Sequence, residues 1–423
     1  MKRTASFRQS GAKPNGGQPG HAGQTLSAAD TPDRPETHEA DTWAPCQASW
    51  TALASVGDEE RQGFDMPTVR IDVTAHRAEI KVCPACGHAK KGRFPASVRP
   101  AVPYGPMGPT WASSLTKQHH IPVERTTEIC EDLVQHRVRE GTVLQASEPW
   151  DRCIEPSTEA VQGLLRDAEV LHVDESGLRV TGTLHGLHGA STDRLTSYEV
   201  QAKRGHEAMD DAGMLGACTG TAVHDHWKPS FKYDACAHAL CHAHHLRALR
   251  CIDTPYQQSW AKDMAELLLA IQAAVQATPE PAMRLAPPER EAFEKRDDEV
   301  VQSGFDAHPA PVSPPAGEGR KRGRPTQPPA VNVLIRLRDV KGEVLAFMSD
   351  FRVPFDNNQG ERDMRMVQVK QKVSGGCRTL EGAKRFGRMR GDISTARKQA
   401  KNVFEAIRDA FDGTPFIPAS ERP

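Results

Sequence analysis

Three acids, far apart along the chain, are the residues best suited to chemistry. Asp174 follows the apolar run Val170-Leu-His-Val173, Asp225 follows Gly220-Thr-Ala-Val-His224, and Glu361 closes Phe355-Asp-Asn-Asn-Gln-Gly360. Short apolar runs of this kind read as buried strands bounded by turns, which puts Asp174 and Asp225 at the rim of a sheet. Asp356 or Asn357 is placed to cap a helix that carries Glu361 in its first turn. Each acid alone has a plainer reading, as a solubilising strand end or as a first-turn acid favoured by the helix dipole. Together they suit hard divalent cations, magnesium or manganese, which take oxygen ligands and keep some waters. Two such ions about 3.5–4 Å apart can clamp the attacking and leaving oxygens of a phosphodiester. Nucleases, polymerases and DNA transposases work in this way.

Cysteine offers a second chemistry. Cys83-Pro-Ala-Cys86 followed by Gly87 has the shape of a zinc knuckle, a turn that aims two thiolates at one ion. The alternative is a pair of free thiols. Cys241 and His244 stand three residues apart, so a helix would put them on one face. The preferred reading is a packed, hydrogen-bonded pair that braces the core. A zinc reading needs further ligands, for which Cys236 and His238 are candidates.

The elements that must position these residues follow from periodicity. Before the first acid, Tyr104 to about Gln145 has helical spacing at Trp111, Leu115, Ile129, Leu133 and Val134, broken by Pro122. A further helix is expected over Pro156–Ala168. A strand ending near Asp174 comes next, then a hairpin of Leu178–Thr183 and Leu184–Ala190 around Gly182, and a strand over Tyr198–Gln201. A helix over Glu207–Leu215 then leads to the strand ending at Asp225. From Asp225 to Glu361 is 361 − 225 = 136 residues, too long for one connection, so a helical insertion is required. It holds an apolar stripe from Trp260 through Met264, Leu267, Leu268 and Ile271 to Val275, a helix over Pro288–Ser303, and a core-facing helix over Val331–Met348. Lys370–Gly376 reads as a basic strand or loop, and Glu381–Phe411 as one long helix.

Composition narrows the class. The 423-residue length suggests two to three domains; the net charge is −1, and a hydrophobic content of 38% is enough for a core without being generous. It is no basic nucleic-acid binder by overall charge, but Arg362 to Lys401 holds twelve Lys/Arg against three Asp/Glu, which can make phosphate contacts. A solvated helix face is the alternative. Asp306–Pro329 is a Pro- and Gly-rich linker. Its Arg322-Gly-Arg324-Pro is an AT-hook core that can enter a narrow minor groove, or else a charged loop. No signal sequence and no run of about eighteen apolar residues is present, so a cytoplasmic, nucleoid-associated protein is expected.

Several blocks together resemble the DDE transposases of the bacterial insertion sequence sixty-six family. They are His172-Val-Asp-Glu-Ser-Gly177, Leu184-His-Gly-Leu-His-Gly-Ala-Ser-Thr192, Val223-His-Asp-His-Trp-Lys-Pro229 and Cys241-His-Ala-His-His-Leu-Arg247. Arg322-Gly-Arg-Pro325, Arg352-Val-Pro-Phe-Asp-Asn-Asn-Gln359 and Lys370-Gln-Lys-Val-Ser-Gly375 continue the series. The likeness starts near Gly16-Gly-Gln-Pro-Gly-His21 and runs to about Gly413.

The resemblance implies an α/β fold, with an RNase H-like catalytic core over residues 169–412 and a helical insertion at about 236–348. Residues 1–41, rich in Gly, Pro, Ser, Thr and Gln and without apolar periodicity, read as disordered; between them and the core are expected a zinc-ribbon-like module (42–102) and a helical DNA-binding or linker region (103–168), with a tail at 413–423. Asp174, Asp225 and Glu361 would be catalytic and hold two Mg2+ (or Mn2+) ions. The resemblance also implies a second upstream cysteine pair. Cys46 is present, but Ser49 stands at its partner's place, leaving Cys46, Cys83 and Cys86 as candidate zinc ligands with His76 or His88 as a fourth. Arg322, Arg324, Arg362, Arg365, Lys370 and Lys372 would contact DNA. Expected partners are double-stranded DNA at transposon ends and target, further copies of the chain, and accessory insertion-sequence proteins, with no membrane. A short front end and Ser49 suggest an alternative, a truncated copy that binds DNA without cutting it.

Overall fold

The computed structural model describes residues 26–39, 42–43, 48–49, 54–95, 98, 104–202, 210, 213–256, 258–309 and 327–418. Cys46, the Arg322-Gly-Arg-Pro325 block and most of the helix expected over Glu207–Leu215 lie outside them. The chain divides into two compact units, Met1–Arg70 and Ile71–Pro423. In the first, β1 (Thr42–Trp43) pairs antiparallel with β2 (Ala48–Ser49). Its residues 26–39 have no helix or strand and are exposed.

The second unit opens with a small hairpin, β3 (Ile80–Val82) against β4 (Ala89–Lys91). Four helices follow: α1 (Met107–Ser113), α2 (Val123–Val134), α3 (Glu140–Cys153) and α4 (Glu155–Arg166). Pro122 stands at the N-terminal boundary of α2, where its fixed φ and missing N–H do no harm.

A five-stranded mixed sheet forms the centre. Its strands are β5 (Val170–Val180), β6 (Thr183–Ser191), β7 (Thr196–Gln201), β8 (Thr221–His224) and β9 (Ala237–Leu240), in the order β7-β6-β5-β8-β9. The first three in that order pair antiparallel; β8 and β9 run parallel to β5. Two sequence expectations change here. The strand expected to stop near Asp174 continues to Val180, because β6 supplies partners from His172 to Val180, including Gly189 opposite Asp174. The turn does fall at Gly182, where both Thr181 and Gly182 have positive φ. Strand β9 has no counterpart among the expected elements, since its Ala-His-Ala-Leu sequence is too short and mixed to show a period.

Helices cover both faces. After β9 come α5 (His242–Tyr256), α6 (Ser259–Ala277), α7 (Pro287–Asp306), α8 (Pro329–Asp339), α9 (Lys341–Val344) and α10 (Ala346–Ser349). Trp260, Met264, Leu268 and Ile271 of α6 form a core with Leu334, Leu337 and Phe347. The single helix expected over Val331–Met348 is three short ones, broken where Val340 and Leu345 leave helical geometry.

The last three helices are α11 (Asn358–Ser374), α12 (Leu380–Lys398) and α13 (Val403–Phe411). Lys370–Ser374 is therefore helical rather than a basic strand or loop. The long final helix is two helices, because Ala400 adopts φ +55° and the Asn402 side chain caps the amides of Phe404 and Glu405. Met364 and Val367 of α11 and Phe386 of α12 pack on Leu178, Leu187, Tyr198 and Val200. Helix α12 lies close against β7: a Cβ at Gly391 would stand 2.9 Å from the Thr196 carbonyl oxygen. Val161 and Leu165 of α4 close the other face over Leu171 and Ala222.

Candidate metal centre

Side chains alternate along a strand, so the core assignments settle which face each residue serves. Leu171 packs with α4, whereas Leu178 and Val180 pack with α11 and α12. Asp174 shares the even-numbered face of His172, Leu178 and Val180. In the parallel ladder, His172 of β5 is partnered by Val223 of β8. Two residues on stand Asp174, within β5, and Asp225, just past the end of β8, near enough for the Asp225 charge to act on Asp174.

Asn357 brings the third acid to that face. Its side chain is buried, donates from Nδ2 to the Val173 carbonyl oxygen at 2.9 Å, and pairs through Oδ1 with His172 Nδ1 at 2.8 Å. Its backbone N–H donates to the Cys241 sulfur at 3.1 Å, and its carbonyl accepts from the Glu361 N–H at 3.1 Å. Asn357 holds the N-cap position of α11, but its side chain reaches for the strand instead of capping, while Asp356 Oδ1 accepts from the Asn358 N–H. Gly360 makes room, since a Cβ there would stand 3.0 Å from Asn357 Oδ1. Glu361, one turn along, is thereby brought near Asp174.

Electrostatics reflect the gathering of charge. Burial pushes the Asp174 carboxyl up to about 7, against a hydrogen bond from the Glu175 N–H, and the nearby Asp225 and Glu361 carboxylates raise it further. Burial lowers the Arg336 guanidinium from its usual value, opposed by the Asp225 charge, so α8 brings one cation within reach of this acid. Three acids that feel one another's charge offer the oxygen donors that hard divalent cations take, but among the described residues the trio whose ligand atoms all lie within 4.8 Å of one another is Cys241, His244 and Glu361, not these three carboxylates.

The order of these motifs decides the family. The sequence profile of the family described as Transposase IS66 family matches residues 110–385. The chain belongs to the IS66 transposase family. No curated protein matches it. The family is one of DNA-handling transposases of mobile elements. The matched region spans the sheet, the insertion helices and α11, so all three acids of this IS66-family chain lie within it.

The other sequence-predicted residues fall in several places. Cys241 stands between β9 and α5, and His244 lies in the first turn of α5; both reach Glu361, with one ligand atom from each of the three within 4.8 Å of the others. Cys83 and Cys86 sit at the tip of the β3–β4 hairpin, exposed and free, with Gly87 at φ +69° and its N–H donating to the Cys83 carbonyl oxygen. Backbone N–H groups of Cys86 and Ala85 facing the Cys83 sulfur hold its thiol below the usual value. Among the described residues, no third metal-binding side chain joins these two cysteines.

Arg362, Arg365 and Lys372 form an exposed stripe along α11. Lys370 differs: its ammonium donates to the carbonyls of Gly375 and Gly376 at 2.7 and 3.0 Å, closing the C-terminus of α11. Sequence reasoning missed Arg336, His172 and the strand-binding role of Asn357. Nothing in their local patterns marks them, because each acquires its partner only through packing. Among the described residues, no helix is long and apolar enough to cross a membrane.

Proposed function

We propose that this chain is a DDE-type DNA transposase that cuts transposon ends and joins them to target DNA. The observation that supports the reading is that Asp225 and Glu361 lie near enough to Asp174 for their charges to raise its carboxyl. The order of strand, hairpin, strand and then parallel strand supports an RNase H-like core over residues 169–412, with the helices of about 236–348 as its insertion. Asp174, Asp225 and Glu361 would hold two magnesium or manganese ions. The chemistry these ions supply when bound is Lewis acidity toward the attacking and leaving oxygens of the phosphodiester.

The chain's own residues do the rest. Asn357 fixes Glu361 relative to Asp174 by tying α11 to β5. Arg336 offsets charge beside Asp225. Arg362, Arg365 and Lys372 present guanidinium and ammonium groups for the DNA backbone, and Lys370 serves the helix end instead. Arg322 and Arg324 are proposed minor-groove contacts. Cys83 and Cys86 are proposed zinc ligands, with Cys46 as a third. Assembly into a homo-oligomer on DNA, with accessory insertion-sequence proteins, belongs to the same reading.

The test is magnesium-dependent nicking and strand transfer on cognate end DNA. Asp174→Asn, Asp225→Asn and Glu361→Gln are expected to abolish both while leaving DNA affinity unchanged. Metal-dependent nicking retained by Asp174→Asn overturns the assignment. Binding without nicking by the unsubstituted chain favours a copy that only grips DNA.

A further inference from the structure

Beside the three acids lies a donor set of different character. Cys241 is buried between β9 and α5, and His244 follows in the first turn of α5. The Glu361 carboxylate faces them from α11. His244 Nδ1 stands 3.6 Å from Glu361 Oε1. Both atoms are shut off from solvent, and neither makes a hydrogen bond. Two buried polar atoms facing each other beyond hydrogen-bonding distance are a costly arrangement unless something binds between them. Around a tetrahedral ion with Zn–S of about 2.3 Å and Zn–N or Zn–O of about 2.0 Å, ligand atoms stand roughly 3.3–3.6 Å apart. The 3.6 Å separation meets that spacing, and the 4.8 Å bound on the set leaves the sulfur about an ångström to close, within reach of a side-chain rotation.

We propose that Cys241, His244 and Glu361 bind a single borderline-soft divalent cation, zinc foremost, with water in the fourth position. A thiolate and an imidazole select zinc over magnesium, which takes oxygen ligands. The Asn357 N–H that donates to the Cys241 sulfur is the kind of outer contact that orients a ligand and stabilises its charge. On binding, the metal–sulfur bond replaces the S–H bond and the thiol proton passes to water. The site stands whether or not Glu361 is catalytic. Its consequence rests on the proposed function: Glu361 serves one site at a time, so zinc withdraws it from the magnesium set and inhibits cleavage.

Cobalt(II) reports the site directly, because thiolate ligation gives a sulfur-to-metal charge-transfer absorption. The probe is cobalt added to metal-free full-length protein with Cys46, Cys83 and Cys86 changed to Ser, which removes the candidate ligands of the N-terminal module; Cys236 and His238 remain, and the Cys241→Ser comparison separates them from this site. One equivalent is expected to produce the band and zinc to abolish it. The band should vanish in Cys241→Ser and persist in Asp174→Asn. His244→Ala, at a partly exposed position, should weaken cobalt binding by roughly tenfold or more. Absence of the band in the parent protein, its survival in Cys241→Ser, or an unchanged cobalt affinity in His244→Ala overturns the proposal. The nicking test has a separate readout, so either idea can fail alone.

Discussion

At the scale of single residues, Asn357 does more than its place at a helix start suggests. A cap would satisfy one or two amides of its own helix. Here the amide side chain joins α11 to the strand that carries Asp174. Asn357→Ala is expected to strand the Val173 carbonyl and His172, at a cost of about 2–4 kcal/mol in denaturant unfolding. Nicking should fall further than the loss of folded protein explains, because Glu361 loses its anchor. Asp174 gives the opposite sign. Its carboxyl rises from an ordinary value near 4 to about 7 on folding, so ionisation above that range opposes the metal-free fold. Asp174→Asn should therefore stabilise the metal-free protein at pH 8 by about 2–4 kcal/mol while removing activity. Unchanged stability on chelator-treated protein would refute this account of the site.

At the scale of elements, the acids depend on how α11 and α12 are pinned. Lys398 donates to the carbonyls of Thr192 and Leu195 and to Asp363 Oδ2 at 2.8 Å, so the end of α12 is bound at once to the β6–β7 turn and to α11. The ion pair is largely shielded, each side chain being 12% exposed. Lys398→Met leaves Asp363 uncompensated and is expected to cost about 3–5 kcal/mol. Adding Asp363→Asn should recover most of that loss, and equal unfolding midpoints for the single and double variants would count against the pinning role. The sequence made several of these elements legible. The apolar stripe from Trp260 to Val275 marked α6, and Gly182 marked the β5–β6 turn. It did not show that β5 continues past Asp174, because Glu175-Ser-Gly177 carries no strand signal until β6 pairs with it.

At the scale of the whole molecule, buried titratable groups set the response to pH. Burial lowers His120 and His226 to about 4 and His224 and His242 to about 3, and His245 falls well below its usual value. Such groups bind protons in the unfolded chain first, so their stabilising contribution, present above about pH 6.5, is lost as pH falls. Asp174 and Asp392, raised to about 7, and Asp297, raised to about 6, act the other way by holding protons in the native state. His172 and His238 are lowered as well and Glu199 is raised, so among the described residues seven lowered histidines stand against four raised acids, and unfolding takes up protons as pH falls below about 6.5, with stability lost on acidification. Denaturant titrations between pH 5 and 6 measure that slope. Asp174→Asn should steepen it by about one proton, and a flat profile would show that these histidines are not held neutral.

Local pattern alone determined several of the strands and helices, among them the start of β5, the Gly182 turn and the apolar stripe of α6, and where acids and thiols fall along the chain. Those properties depend on side-chain period, capping and turn residues, all read within about a dozen positions. Only the tertiary structure decided which of these residues meet. Cys241 and His244 read as a brace on one helix until α11 swung Glu361 against them, a contact made across 361 − 244 = 117 positions. Packing of Met364 and Val367 on the sheet, with the hold of Asn357 on β5, sets that meeting, and neither is visible in the spacing of either motif.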